Sequence, residues 1–177
     1  MGRHGMNEQG RVRPAQHRDD AAILTLEELF PSDRMSLRSV RHFLKSPSAR
    51  TWVAELDGAV VGNLILLTRR GSGIARVYSV VVAPQARGRR FAERLVRAAE
   101  TEALALGLKQ IKLEVRQDNA AARALYAKLG YVEAESLPGY YEDGADGLRL
   151  CNTLTRDRSP HAALSPPGGA DGSPTKA

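Results

Sequence analysis

Three arginines follow a run of valines near the middle of this 177-residue sequence. Residues 77–83 read VYSVVVA, and Pro84 then leads to Arg87, Arg89 and Arg90 and into a helix-like pattern. In open α/β sheets, ligands bind beyond the carboxyl ends of strands, where a helix start offers N–H groups and a positive dipole. The junction therefore predicts an anion site, although arginines in such a place often only solvate a turn.

A second set of side chains that could do acid-base chemistry lies downstream. Glu114 is the polar residue between Leu113 and Val115, and alternation alone does not decide between a catalytic carboxylate and a strand-edge glutamate paired with an arginine. Tyr126 borders the apolar stripe of a helical stretch at 119–130, where half-buried packing is the more ordinary role. For Glu114 and for Tyr126, the sequence pattern alone leaves both a catalytic and a structural role open.

Other signatures of chemistry are missing from the sequence. It contains no Gly-x-x-x-x-Gly-Lys-Ser/Thr and no Gly-x-Gly-x-x-Gly motif, which argues against nucleotide hydrolysis and dinucleotide binding. The four histidines are scattered, and Cys151 is the only cysteine, so no zinc-type spacing exists. We expect no metal.

A mixed sheet is needed to position these segments. The sequence predicts two helices, at 21–30 before Pro31 and at 37–44, and then the order ββββαβαββ. Its centre is a strand, helix, parallel strand crossover from Tyr78 to Val115. A hairpin is predicted to turn at Asp57-Gly58, with Gly62 at a bulge or a close approach.

Length and composition indicate one globular domain. Hydrophobic residues make up 42% and charged residues 26% of the chain. We expect a disordered arm at 1–12, the domain at 13–157 and a disordered Pro/Gly/Ser-rich tail at 158–177. Half of the net charge of +6 lies within residues 1–18, and only 5% of residues are aromatic, so a nucleic-acid partner is not favoured.

The expected compartment is the cytoplasm. A lone cysteine fits a reducing environment, the N-terminus lacks the apolar core of a signal peptide, and no apolar run approaches the roughly 20 residues of a membrane span. No membrane partner is expected, and the chain is predicted to be a monomer or a homodimer.

Residues 82–92 resemble the acetyl-CoA loop of the GNAT acetyltransferase superfamily. The segment RGRRFA after VAP matches the pattern Arg/Gln-x-x-Gly-x-Gly/Ala, except that Arg90 stands where the family usually has the central glycine. The resemblance implies that backbone amides of the loop bind the pyrophosphate of acetyl-CoA. With a helical φ at Arg90, its amide would still face the anion, and we expect binding to survive the substitution.

Residues 113–135 and the downstream GYYEDGADGLRL resemble the protein N-terminal type of this family, the ribosomal-protein alanine N-acetyltransferases. Together with the loop, the likeness covers about residues 53–154. It implies a GNAT α/β fold, with a mostly antiparallel twisted central sheet, two parallel strands that splay apart, and helices on both faces.

The resemblance also implies roles for individual residues. Glu114 would be the general base, acting through water, and Tyr126 the general acid that protonates the CoA thiolate. Asn119, a predicted N-cap, would contact the cofactor as well. The implied contacts with acetyl-CoA are Val80, Val81, Val82, Arg87, Gly88, Arg89, Arg90, Phe91, Ala92, Glu93, Asn119 and Tyr126.

The acceptor remains open between several amines. In the resembled type, the turn at Tyr140 and Tyr141 caps the acceptor side and favours a peptide N-terminus, whose α-amine has a pKa near 8 against about 10.4 for lysine. Lysine side chains and small amines, such as polyamines or antibiotics, are the alternatives. More remote possibilities are a non-catalytic RNA- or ribosome-binding module and a degenerate homologue impaired by Arg90.

Overall fold

The computed structural model describes residues 10–29 and 35–156. The strands are β1 Arg11–Pro14, β2 Ala49–Leu56, β3 Ala59–Leu67, β4 Ile74–Val82, β5 Gln110–Arg116, β6 Val132–Leu137 and β7 Gly147–Thr153. The α-helices are α1 Asp20–Glu27, α2 Leu37–Lys45, α3 Phe91–Ala105 and α4 Ala120–Lys128. The strands form one sheet in the order β1-β2-β3-β4-β5-β7-β6, in which only β4 and β5 pair in parallel.

The predicted fold class is confirmed, but the predicted element order is wrong at the start. Three strands, not four, lie between α2 and α3, and the remaining strand is β1, which precedes the helices. Its sequence, RVRP, has no apolar run that could mark a strand. Arg11 and Val12, assigned to the arm, belong to β1. Residues 1–9 of the arm and the predicted tail lie outside the described residues, and the domain limits stay a prediction.

Two layers of helices cover the sheet. Side chains of α3 and α4, such as Leu95 and Ala122, pack with the large cluster that contains Leu113 and Val115 of β5. On the opposite face, Ile23 of α1 and residues of α2 pack in a second cluster with inward-facing residues of β2 and β3. The two faces of the sheet are therefore covered by different helices.

The predicted hairpin turn is confirmed. Asp57 and Gly58 both have positive φ, 51° and 78°, which is the two-residue turn that matches strand twist. Gly62 lies at a close approach, since a Cβ there would meet the Val81 carbonyl oxygen at 3.0 Å. The register shift itself falls just before Gly62, between Ala54 and Glu55 on the opposing strand.

Helix ends follow the sequence signals with one exception. α1 ends at Glu27, short of the predicted residue 30, and Phe30 and Pro31 lie outside the described residues. Gly107 and Gly130, at φ of 77° and 96°, follow the ends of α3 and α4 as predicted. Within residues 10–29 and 35–156, no helix has the length and apolar character needed to cross a membrane.

A network of charges fastens β1 to the sheet. The Arg13 guanidinium donates from Nη1 and Nη2 to both carboxylate oxygens of Asp19 (2.8 and 3.0 Å) and from Nε to Glu55 on β2 (2.9 Å). The Gln16 amide also donates to Asp19 (2.7 Å). These bonds, the Arg13 bond foremost, hold the pKa of the Asp19 carboxyl below its ordinary value.

Asp19→Asn should therefore destabilise the protein by about 2 kcal/mol at pH 7, because a charge-assisted bond is lost. A lowered carboxyl pKa contributes stability above the unfolded pKa, near 3.9, and that contribution is lost as pH falls through the folded pKa. Urea unfolding at pH 7 and pH 3 should show the difference between wild type and variant shrinking at pH 3. The exposed Glu142→Gln control should show no difference at either pH.

Candidate active site

The centre of the site is a fork between β4 and β5. The two strands pair only between Ile74–Arg76 and Gln110–Lys112. Beyond this contact they are no longer paired, although β4 continues to Val82 and β5 to Arg116. The fork thus opens at the carboxyl ends of two parallel strands, which is where α/β sheets bind ligands.

Backbone amides of β4 face this fork. The Ala83 amide donates to the Val61 carbonyl oxygen on β3 (2.7 Å). Because successive amides of a strand point in opposite directions, the amides of Val80 and Val82 point away from β3, towards β5. The side chains of Val80, Val81 and Val82 are buried, so what this stretch offers a ligand is backbone. An extended ligand with amide groups could pair with it as an added strand.

The start of α3 lies directly beyond β4. A 3-10 turn at Pro84–Ala86 leads to Gly88, whose φ is 82°, and then to the helix N-cap at Arg90. Within the described part of the chain, no side-chain hydrogen bond caps this helix at Arg90. An α-helix leaves its first four N–H groups without helical partners, so the start of α3 presents donors and a positive dipole to an anion.

Arg90 adopts a left-handed conformation, with φ 60° and ψ 24°. Arg90 therefore lacks the helical φ that was the condition for its amide to face the anion. For a residue with a Cβ, this region costs roughly 1–2 kcal/mol. The glycine that is usual at this position of the resembled loop is thus accounted for by the backbone angle, which Arg90 keeps at an energetic cost.

A basic groove of about 950 Å³ runs beside the helix start. Arg94 donates to the Gly10 carbonyl oxygen (3.2 Å), and Arg97 pairs with Glu100 (2.7 Å). Neither arginine was predicted, although their spacing from Arg90, four and seven residues, marks one helix face. The groove is lined by Val12, Arg89, Arg90, Glu93, Arg94, Arg97 and Ala98.

Two of the predicted pyrophosphate contacts have side chains engaged elsewhere. Phe91 is 1% exposed and belongs to the core. The Glu93 carboxylate lies 3.6 Å from Lys128 of α4. At both positions, the group that remains for an anion is the backbone amide.

Glu114 lies on the opposite face of β5 from Leu113 and Val115 and is only 2% exposed. Its carboxylate accepts from Nε of Arg76 on β4 (3.1 Å) and from Nε of Arg149 on β7 (3.4 Å). β5 is an interior strand, so Glu114 is not at a sheet edge, but the arginine pairing envisaged for a structural glutamate is present twice. Sequence reasoning did not name Arg76 or Arg149, because the signal for them is cross-strand register.

Tyr126 lies within the core, not at its border as predicted. It is 1% exposed, and its ring meets that of Tyr131 edge to face at 5.5 Å. Burial raises the pKa of the Tyr126 hydroxyl above that of a free phenol. Among the described residues no hydrogen bond links it to Glu114. Asn119 caps α4 as predicted, with Oδ1 accepting from the Ala122 amide (3.1 Å).

The two tyrosines of the β6–β7 turn pack against each other on the Glu114 side. The rings of Tyr140 and Tyr141 meet edge to face at 5.2 Å, and the Arg116 guanidinium lies 5.1 Å from the Tyr141 ring centre. A Cβ on Gly147 would meet both tyrosines at 3.2–3.3 Å, so glycine allows this packing. Burial raises the pKa of Tyr141 to about 12.

The described residues contain no group of three or more His, Cys, Asp or Glu side chains that could hold a metal ion.

The family model described as the acetyltransferase (GNAT) family matches residues 18–131. The chain belongs to the GNAT family. The family and fold implied by the sequence resemblance are confirmed, and this GNAT protein is an acetyl-CoA-dependent N-acetyltransferase.

Proteins similar to this acetyltransferase are named after different acceptors. It is 31% identical over 160 residues to an N-alpha-acetyltransferase of Sulfurisphaera tokodaii, covering 81% of this chain and 93% of that protein. It is 32% identical over 138 residues to an IAA acetyltransferase of Azospirillum brasilense, covering 74% and 88%. The Escherichia coli ribosomal-protein-S18-alanine N-acetyltransferase structure shares the fold, with a TM-score of 0.74 and 21% identity over 82% of this chain and 94% of that chain.

Arg90→Gly should raise the free energy of unfolding by about 1 kcal/mol, because glycine adopts a left-handed φ without a Cβ clash. Thermal and urea unfolding measure the change. Arg89→Gly, one residue earlier and outside the positive-φ positions, is the matched control and should not stabilise the protein. Equal or lower stability of Arg90→Gly would contradict the strain at this N-cap.

Proposed function

We propose that this enzyme transfers the acetyl group of acetyl-CoA to the α-amine of a protein or peptide N-terminus. The observation that carries the proposal is the fork between β4 and β5, which has an uncapped helix start at its mouth and Glu114 on one face. A donor entering along α3 and an acceptor approaching from the Glu114 face would meet between the strands.

The donor is held mainly by backbone. The pyrophosphate lies against the amides of Gly88 to Glu93, with Arg87, Arg89 and Arg90 adding positive charge. Pantetheine extends into the fork along Val80 to Val82, where the outward amides pair with it. Asn119, at the start of α4, and Tyr126 complete the donor contacts.

Transfer begins with attack of the neutral amine on the thioester carbonyl carbon, which forms the C–N bond. An amide of the Val80–Val82 stretch donates to the developing oxyanion, and Glu114 accepts the amine proton through a water molecule. The C–S bond then breaks, and the thiolate takes a proton from the Tyr126 hydroxyl. The products are an N-acetylated amine and free CoA.

The environment of Tyr126 suits a proton donor that must not ionise early. Its burial raises the pKa of the hydroxyl, so the proton is retained at neutral pH. A thiol pKa near 8.5 makes full transfer from a phenol uphill, so the hydroxyl first stabilises the departing sulfur by a hydrogen bond. The cost is lowered if the tyrosinate is reprotonated at once by the proton released from the amine.

An α-amine suits this site better than a lysine. Deprotonating a lysine at neutral pH costs roughly 3 kcal/mol more than deprotonating an α-amine, from reference pKa values near 10.4 and 8. The proposed base is a single glutamate, which is already paired with Arg76 and Arg149. Tyr140 and Tyr141 supply a wall against which the first residues of a peptide can pack.

Thiol release from acetyl-CoA should be fastest with N-terminal peptides in a panel that also contains lysine peptides and small amines. Glu114→Gln and Tyr126→Phe should each lower kcat by about 10²-fold or more, since a positioned acid or base contributes that much. Glu102→Gln, on the far part of α3, is the control and should keep full activity. Full activity of both site variants would refute this mechanism, and activity confined to small amines would refute the acceptor.

The contribution of Tyr126 to kcat should also persist at high pH. Because the pKa of this hydroxyl is raised, its protonated form persists above pH 10, so kcat should rise with amine deprotonation and not fall between pH 8 and 10. A stopped-assay pH profile with wild type and Tyr126→Phe measures this. A decline below pH 10 in wild type that is absent in the variant would show that Tyr126 ionises too early for the role.

A further inference from the structure

Arg76 occupies the base of the fork on the acceptor side. It is the last β4 residue paired with β5, where it lies opposite Lys112, and the strands separate immediately after it. Its side chain reaches along the sheet to Glu114, which lies two residues further along β5 than Lys112. The position places a guanidinium next to the carboxylate that receives the amine proton in the proposed mechanism.

The guanidinium of Arg76 is only partly used by the protein. Its Nε donates to Glu114, while the described residues provide no hydrogen-bond partner for its two terminal nitrogens. The side chain is 35% exposed. Arg149, the other partner of Glu114, is bound on both sides, because its Nη1 also pairs with Glu135 of β6.

The ion pairs around Glu114 contain two arginines and two glutamates, so the sum of these four charges selects no ligand. The positions of the charges, in contrast, can select a ligand. Glu114 and Arg76 present a negative and a positive group side by side. A ligand with an amine and a carboxylate a few bonds apart would place its own groups against these two with the signs reversed. A guanidinium with an exposed pair of N–H groups is also the side chain best shaped for a planar carboxylate.

We propose that Arg76 selects acceptors that carry a carboxylate within a few bonds of the reacting amine. The carboxylate can belong to an acidic first residue of a peptide or to a free amino acid. This inference rests on the proposed function, since it assigns the acceptor side of the same fork. Arg76 binds the acceptor carboxylate with its terminal nitrogens while its Nε keeps Glu114 in place.

The experiment compares pairs of acceptors that differ only in charge. One arm uses two peptides with the same sequence after a first residue of Asp or Asn, and the other uses free alanine and alaninamide. Wild type, Arg76→Gln, Arg76→Lys and the exposed loop control Arg70→Gln are assayed for kcat and KM with saturating acetyl-CoA. The measured quantity is the ratio of kcat/KM within each pair.

In at least one pair, the ratio of kcat/KM for the carboxylate-bearing member over the neutral member should be roughly tenfold higher in wild type and Arg70→Gln than in Arg76→Gln, mostly through KM, as expected for a charge-assisted bidentate contact. Arg76→Gln should lower activity on all acceptors through its effect on Glu114, and its ratio should reflect only the difference in amine pKa within the pair. Arg76→Lys should keep an intermediate ratio, since lysine retains the positive charge but lacks the planar pair of N–H donors of a guanidinium. Because a carboxylate also changes the pKa of the neighbouring amine, the Arg76→Gln ratio supplies the baseline for that effect.

The outcomes separate this inference from the proposed function. A preference that depends on Arg76 in the peptide arm alone identifies an acidic N-terminus, and one in the amino-acid arm alone identifies a free α-carboxylate; either supports the inference. Acetylation with the same ratio in wild type and Arg76→Gln in both arms overturns the inference and leaves the proposed function standing. Failure to acetylate any amine in either arm or in the peptide panel overturns both.

Discussion

The short parallel contact between β4 and β5 is the constraint on which the rest of the structure depends. Pairing over Ile74–Arg76 and Gln110–Lys112 joins the two halves of the sheet, and its early end leaves backbone facing a gap. A fully paired β4 and β5 would satisfy those amides within the sheet and leave no room for a ligand. The start of α3 is placed at the mouth of the gap because the connection from β4, residues 83–90, includes a 3-10 turn and is short.

The two sides of the fork are built on different physical grounds. The donor side uses backbone amides and an uncapped helix, so it recognises a phosphate without relying on a particular side chain. The acceptor side uses charged side chains, with buried Glu114 between Arg76 and Arg149. Substitutions are therefore expected to change acceptor preference more readily than the identity of the donor, which makes the arginines the informative positions.

Much of the fold follows from local signals, whereas the acceptor site does not. The Asp57-Gly58 turn and the Asn119 cap are set by nearby residues, so the sequence predicts them. Arg76 and Arg149 become neighbours of Glu114 only through pairing between strands distant in sequence, which periodicity does not reveal. The left-handed φ of Arg90 was missed because the residue types around Arg90 fit a helix, whereas its backbone angles belong to the turn that precedes α3.

Amide hydrogen exchange in β4, followed by NMR with and without acetyl-CoA, tests the central claim most directly. Saturating acetyl-CoA should slow exchange at Val80 and Val82, whose amides face the fork, by at least about tenfold. Val81, whose amide points towards β3, is already paired in the free protein, so any slowing there reports only the overall stabilisation of the fold by acetyl-CoA. Equal exchange at Val80 and Val82 in the free and saturated protein would contradict the assignment of this fork as the acetyl-CoA site.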